Sequence, residues 1–431
     1  MKLLDWKLVD EAGRAAALAR PSQRTDGAFR TAVCSIVDEV RAGGWEALCE
    51  IARRIDGDEP KVVPVAPIAA SARTSLSPQQ LAALELAAEN IRRFHEASMP
   101  QDISVETMPG LTVRKLWRPI DRVGLYVPGG KTPLFSTLLM LAIPANVAGV
   151  SEVVTLTPPK ADGSLDPIIA LAAQLSGIEA IWTVGGAQAI AAVAFGCGRI
   201  PRVDKICGPG NSWVAEAKRL VASEPGGPAI DMPAGPSELM IIADEFADPS
   251  IVAADLLSQA EHDVAAQVVL VTTSAALARS IQEAIETQVG QLARSDIARQ
   301  SLQSARLIVA SDLDAAVEIA NSYAPEHLSL ALSDAEALIP QIRNAGAVFA
   351  GPLAAETFGD YLAGSSHVLP TDGAARAWGG VSCNTFLKAM TVQTITPQAA
   401  ARLAAPAALL ARMESLEAHA RAADARLEQA A

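Results

Sequence analysis

Residues 122–157, RVGLYVPGGKTPLFSTLLMLAIPANVAGVSEVVTLT, place a β-branched run, a glycine turn, a long apolar segment of helical length and a second β-branched run in succession. Runs this apolar, without polar alternation, fit strands covered on both faces, and the segment between them has the length of a crossover helix. The rhythm continues with DPIIALAAQL (166–175), IEAIWTV (178–184) and a following helical segment. A second series opens at LMIIAD (239–244) and runs through AQVVLVTT (266–273), RLIVAS (306–311), HLSLAL (327–332) and AVFAG (347–351), with helical segments between. Strands alternating with helices predict an α/β fold with parallel sheets. The Pro- and Gly-rich stretch Gly227–Pro236, GPAIDMPAGP, has no period and marks a boundary between the two series. Ser333 and Glu336 have capping-box spacing before a helix. The first hundred residues read mainly as helices, and Leu409, Met413, Leu416, Ala420, Ala423 and Leu427 form an apolar stripe on a terminal helix, late enough to serve a partner subunit.

With 431 residues, 50% hydrophobic and 19% charged, the chain can bury large cores and divides into two or three domains. A net charge of −13 and a pI near 5.0 argue against nucleic acid and for a small-molecule partner. The apolar stretch Leu134–Val150 contains Pro144 and Asn146 and falls short of a membrane span, and both charges appear too early for a signal peptide, so a cytoplasmic location is expected. Five cysteines without CxxC spacing read as reduced thiols, with Cys197 and Cys207, among glycines, the two to watch for reactivity.

Three places carry candidate chemistry. In LLSQAEHD (256–263), Gln259 and His262 stand three apart at the end of a helix that Asp248 can cap and Pro249 can open. They share one helix face and could hold a cation, or His262 could simply terminate the helix against its dipole. In ETFGDYLAGSSHVLPT (356–371), Asp360 and His367 sit in a Gly- and Ser-rich segment read as a loop. In NSYAPEHLSL (321–330), Glu326 and His327 stand at the mouth of a strand, where an imidazole beside a carboxylate suits proton abstraction. Neighbours on a regular strand face opposite ways, so a shared site requires an irregular backbone around Pro325. No G-x-G-x-x-G occurs, although glycine turns follow strands at 127–130, 185–188 and 208–211 and could bring backbone amides to phosphate.

Taken together, LYVPGG, VGGAQAIAA, VDKICGPGN, AIDMPAGPSE, LLSQAEHD, YAPEHL, GDYLAGSSHVLPT and LEAHA resemble, in order, the histidinol dehydrogenase family. The resemblance implies oxidation of L-histidinol to L-histidine through the aldehyde, with two NAD per product and one zinc ion per subunit. It assigns zinc to Gln259, His262, Asp360 and His419, and makes His327 the base for the alcohol proton and Glu326 the activator of water. Ser237, His367 and Glu414 join the metal ligands and His327 as substrate contacts, while Tyr126, Gln188 and Asn211 match dinucleotide contacts. It further implies two incomplete Rossmann-like domains with small terminal extensions in an intertwined homodimer whose active sites are shared. The expected division is an extension at 1–23, a large catalytic domain from 24–126 and 238–378, an NAD-binding domain at 127–237, and a helical tail at 379–431 that reaches the partner. Ser366 stands where many members have Asn before the His. Glu414 and His419 are five apart, about 140° around a continuous helix, so they converge only if the helix bends. The other readings are a related zinc- and NAD-dependent dehydrogenase of another polar alcohol, such as a sulfonated diol, and a catalytically idle α/β scaffold.

Overall fold

The computed structural model describes residues 1–20, 27–129, 133–233 and 235–430. Its frame is two six-stranded sheets. The first contains β1 (Arg122–Tyr126), β2 (Glu152–Thr157), β3 (Ala180–Thr183), β4 (Lys205–Cys207) and β5 (Ala229–Ile230), all parallel and ordered β3-β2-β1-β4-β5. The second repeats that order with β6 (Glu238–Ala243), β7 (Gln267–Thr272), β8 (Arg306–Val309), β9 (His327–Ala331) and β10 (Ala347–Ala350), as β8-β7-β6-β9-β10. Each sheet gains a sixth strand from the N-terminal region. Val62–Pro64 pairs antiparallel with β3, and Lys2–Asp5 pairs parallel with β8.

The crossover segments are helical because their apolar residues need cover, and most of their starts are capped by a side chain. α1 (Phe135–Val147), α2 (Pro167–Leu175), α3 (Gly186–Phe195) and α4 (Ser212–Ala222) clothe the first sheet. α5 (Pro249–Ala260), α6 (Ala275–Val289) and α7 (Leu313–Tyr323) clothe the second. Asp248 caps α5 as expected, its carboxylate accepting the Ser250 N–H at 2.7 Å with Pro249 in the first turn. β6 and β7 are buried along their whole length, as strands sandwiched between helix layers must be.

Four expectations are corrected. Of the stretch expected at 24–126, residues 27–97 and 122–126 pack with the first sheet, not with 238–378: β1 is its central strand, and the helices Gly27–Ile55, Val65–Ser75 and Pro78–Ala97 share its two cores. The second sheet therefore takes its strands from 238–350 and from the N-terminal extension. The C-terminal segment is not wholly helical, because Leu387–Ile395 forms an antiparallel sheet with Leu111–Pro119 and Ile103–Met108 before the chain enters its last two helices. No capping box forms at Ser333, whose N–H and hydroxyl instead donate to Asp244 at 2.8 Å each, ahead of a 3₁₀ turn at Glu336–Gln341. Finally, the 356–371 segment is not all loop: it opens with a short helix, α8 (Glu356–Tyr361).

Beyond the three-stranded sheet, α9 (Pro397–Met413) and α10 (Glu417–Ala430) pack on each other. The terminal helix is thus broken, with Ser415 at φ 62° between the two. The small side chains Ala404, Ala408 and Ala420 are buried, whereas Leu409, Leu410, Met413, Leu416 and Leu427 remain exposed.

Candidate active site

The carboxyl end of the first sheet meets the amino end of the second. His367 ties them: its Nδ1–H donates to the Asp360 carbonyl at 3.0 Å, and its Nε2 accepts from the Thr137 hydroxyl, on the first turn of α1, at 3.0 Å. The Phe135 and Tyr361 rings also face each other, 6.4 Å between centroids. Ser366 accepts the Val368 N–H on its hydroxyl at 3.1 Å, the turn bond that an Asn side chain would also make.

On the second-sheet side the centre is His327, the first residue of β9, stacked on Phe349 with 5.9 Å between centroids. Its Nδ1–H donates to the Glu238 carbonyl at 3.1 Å, which leaves Nε2 as the nitrogen with a lone pair. That Nε2 is buried without a hydrogen-bond partner, 3.8 Å from the nearer Asp360 oxygen. Burial lowers the imidazole to a pKa of about 3, partly offset by the Glu238 carbonyl and aided by His367 and His262. The ring is therefore neutral at pH 7. Glu326 does share the site: Ala324 is left-handed at φ 55°, the chain bends through Pro325, and the Glu326 carboxylate lies 3.6 Å from His327 Nδ1. Its Oε2 accepts the Glu238 N–H at 2.8 Å.

Two further carboxyls stand on α8. Glu356, which reading the segment as a loop concealed, is one helical turn before Asp360 and puts Oε1 3.4 Å from His327 Nδ1. His327, Glu356 and Asp360 bring ligand atoms within 4.8 Å of one another. Burial raises Glu326 and Glu356 well above the carboxylate range, and Asp360 to about 7. No Lys or Arg pairs with these three among the described residues, so the cluster lacks a compensating cation. Gln259 adds the decisive mark: it is fully buried near the end of α5, and neither its amide oxygen nor its nitrogen has a partner. His262 follows on the terminal turn, exposed at the rim and near enough to depress both His327 and His367. An orphaned amide oxygen, imidazoles and excess carboxylate suit a divalent cation, and this mixed N/O set suits zinc.

Ser237 precedes β6 and is half-buried. Glu414 and His419 lie exposed on the tail, and neither hydrogen-bonds nor ion-pairs with the other candidates among the described residues. The break at Ser415 removes the constraint of a continuous helix on that pair.

At the carboxyl end of the first sheet, the Tyr126 hydroxyl accepts the Gly186 N–H at 3.1 Å, and Gln188 donates to Asp56 at 3.1 Å while its amide oxygen stays unpartnered. Asn211 caps α4, accepting from Trp213 and Val214 at 3.1 and 3.2 Å. Tyr126 ends β1, and Asn211 follows β4 by a Gly-Pro-Gly turn. These adjacent strands are where the chain order reverses, the place where a doubly wound sheet opens a crevice. Gly208 is required there, since a Cβ would lie 2.0 Å from the Tyr126 carbonyl oxygen. Gly130, in the turn after β1, lies outside the described residues. Cys197 and Cys207 are buried with thiols pushed up by burial, against a reactive role.

Comparison with known proteins agrees along the whole chain. The histidinol dehydrogenase family model matches residues 18–427. Histidinol dehydrogenase of Xylella fastidiosa is 47% identical over 431 residues, covering 100% of both chains. That of Xanthomonas euvesicatoria is 48% identical over 433 residues, again with 100% of both covered. The crystal structure of histidinol dehydrogenase from Elizabethkingia anophelis superposes with a TM-score of 0.94 at 37% identity, covering 99% of this chain and 98% of that one.

Proposed function

The chain belongs to the histidinol dehydrogenase family, oxidoreductases of histidine biosynthesis, and on that premise we propose how its residues divide the work. The reaction is oxidation of L-histidinol to L-histidine by way of the aldehyde, with two NAD reduced per product. The observation that carries it is a neutral imidazole with an unpartnered Nε2, set in a cation-deficient carboxylate cluster beside an orphaned glutamine amide.

NAD, when bound, accepts the hydride. We read both sheets as incomplete Rossmann-like units and place NAD in the crevice of the first, at Tyr126, Gln188 and Asn211. A zinc ion held by Gln259, His262, Asp360 and the tail histidine His419 would anchor the substrate's imidazole and amine nitrogens. His327 Nε2 takes the hydroxyl proton as hydride leaves the carbinol carbon, while Nδ1–H stays on the Glu238 carbonyl so that the accepting nitrogen is defined. Glu326, oriented by the Glu238 N–H that its Oε2 accepts, takes a proton in its carboxylate form from the water that adds to the aldehyde. His367, fixed between Asp360 and Thr137, Ser237 and the tail residue Glu414 line the substrate.

The test is NADH formation. Two NADH per L-histidine are expected from L-histidinol; turnover of a sulfonated diol with none from L-histidinol would favour the other-alcohol reading.

The same family membership supports a homodimer with shared sites, and the exposed leucines and Met413 of the tail are the surface it would cover. In a two-fold dimer the exchange is reciprocal. Chains carrying His262→Asn and chains carrying His419→Asn, each inactive alone, should regain roughly a quarter of the sites when co-expressed, because about half the dimers are mixed. Purified mixed dimers without activity would reject the exchange. No helix among the described residues is long and apolar enough to cross a membrane, and the reading includes a cytoplasmic location.

A further inference from the structure

The side chains of Glu238 and Arg20 have no part in the chemistry above, yet the bonds that orient both bases run through the backbone they hold. Glu238 is 1% exposed at the start of β6. Its main chain serves the pair directly, the N–H to Glu326 Oε2 at 2.8 Å and the carbonyl to His327 Nδ1 at 3.1 Å. Its carboxylate is gripped by the Arg20 fork, Nη2 to Oε2 at 2.7 Å and Nε to Oε1, and also accepts the Asp372 N–H at 3.1 Å.

Arg20 reaches further. Its Nη2 donates to the carbonyls of Tyr323 at 2.9 Å and Ala324 at 3.3 Å, and its guanidinium lies 3.9 Å above the Tyr323 ring. Tyr323 ends α7 and Ala324 is its left-handed cap, two residues before Glu326. One cation therefore satisfies the carbonyl end of α7 and holds the start of β6. The two backbone segments that aim Glu326 and His327 meet on a single guanidinium.

We propose that the Arg20–Glu238 ion pair is the positioning device of the base pair. By setting the orientation of the peptides on either side of Glu238, it decides which His327 nitrogen carries the lone pair and where the Glu326 carboxylate rests. A planar fork on a buried carboxylate is directional in a way that a single ammonium is not, and loss of one partner leaves an uncompensated charge at the site. The proposal rests on His327 being the base of the reaction read above.

The test uses Arg20→Met, Arg20→Lys and Glu238→Gln in the zinc-loaded enzyme. Misplacing a reacting group by about 1 Å costs on the order of 10²-fold. Arg20→Met and Glu238→Gln should lower kcat roughly 10- to 10²-fold, with KM for L-histidinol and NAD and the zinc content changed less than about twofold. Arg20→Lys, which keeps the charge but not the fork, should fall between. A second readout needs no turnover: ¹⁵N spectra of the histidine rings should show His327 as the Nδ1–H tautomer in the parent and a mixture in Glu238→Gln. A tautomer shift without any histidinol turnover in the parent would sink the reaction and keep the positioning. Should Arg20→Met not fold, Glu238→Gln and Arg20→Lys decide alone. Lower melting temperature with unchanged kcat and unchanged tautomer would make the pair a structural tie and overturn the proposal.

Discussion

The two sheets share one strand order and face one cleft with opposite ends. The first presents its carboxyl end, where the turns after β1 and β4 lead into helix starts. The second presents its amino end, where α5 ends around Gln259 and His262 and α7 ends just before Glu326 and His327. Helix starts carry partial positive charge and unpaired N–H groups, and helix ends carry partial negative charge and unpaired carbonyls. Polarity alone thus makes the first surface hospitable to the pyrophosphate of a dinucleotide and the second hospitable to a cation. At the carboxyl end of the second sheet, the usual ligand crevice, the two turns are tied to each other instead: Asp244 after β6 accepts both donors of Ser333 after β9. Repetition of a fold does not carry the site with it; which end faces the cleft decides.

The comparison breaks most sharply at His327. His327→Asn should lower alcohol oxidation ~10²- to 10⁴-fold while NAD affinity, measured by calorimetry, stays at the parent value. Glu326→Gln should instead impair aldehyde oxidation more than alcohol oxidation in separate half-reaction assays. Loss of NAD binding in either variant would mean the two surfaces are not separable.

On the other surface, Gly208→Ala forces a Cβ against the Tyr126 carbonyl at φ +122°. Strain of about 1–3 kcal/mol in the turn corresponds to roughly 5- to 10²-fold weaker NAD binding, with zinc content unchanged. Normal NAD affinity in this variant would remove the turn after β4 from the dinucleotide site.

Metal uptake should depend on pH through Asp360. Burial raises its pKa to about 7 in the metal-free protein, so below that pH the carboxyl holds a proton that an incoming ion must displace. Apparent zinc affinity should therefore drop about tenfold per pH unit below 7, with proton release visible to an indicator, and level off above. Equal affinities at pH 6 and 8 would contradict it.

The smallest effect belongs to the Asp244–Ser333 link. Ser333→Ala removes one of the two bonds to Asp244 and should cost about 0.5–1.5 kcal/mol in denaturant unfolding, without change in kcat or in NAD affinity. A change in either would show that this end also communicates with the cleft.

Much of this was legible beforehand. The strands β1–β3 and β6–β9 are runs apolar enough to announce two-sided burial, and Asp248-Pro249 announced the start of α5. The strand Ile103–Met108 was not legible, because it is exposed, carries a glutamate and alternates weakly. Assignment of 24–126 to the wrong sheet has a similar cause: an amphipathic helix advertises that it will be covered, not by which layer. Glu356 hid in a six-residue helix too short to show a period. Arg20 and Glu238 are 218 positions apart, and no local pattern signals such a partner. Glu326, His327, Gln259 and Asp360 were recognisable only through their surrounding motifs, since none of their spacings alone specifies a site.

The strand Lys2–Asp5, which adds to β8, bears on the order of events as the chain is made. It is made before its pairing partner Arg306–Val309, which follows roughly 300 residues later. At about 5–20 residues per second, that is on the order of 15–60 s of waiting. The first sheet, contained within residues 62–230, can close during that interval. The second sheet must then recruit its edge from a strand made ahead of the first sheet, across a loop that encloses a finished core. Its completion is accordingly a late, high-contact-order step, and a strand made before either core is among the last to be seated.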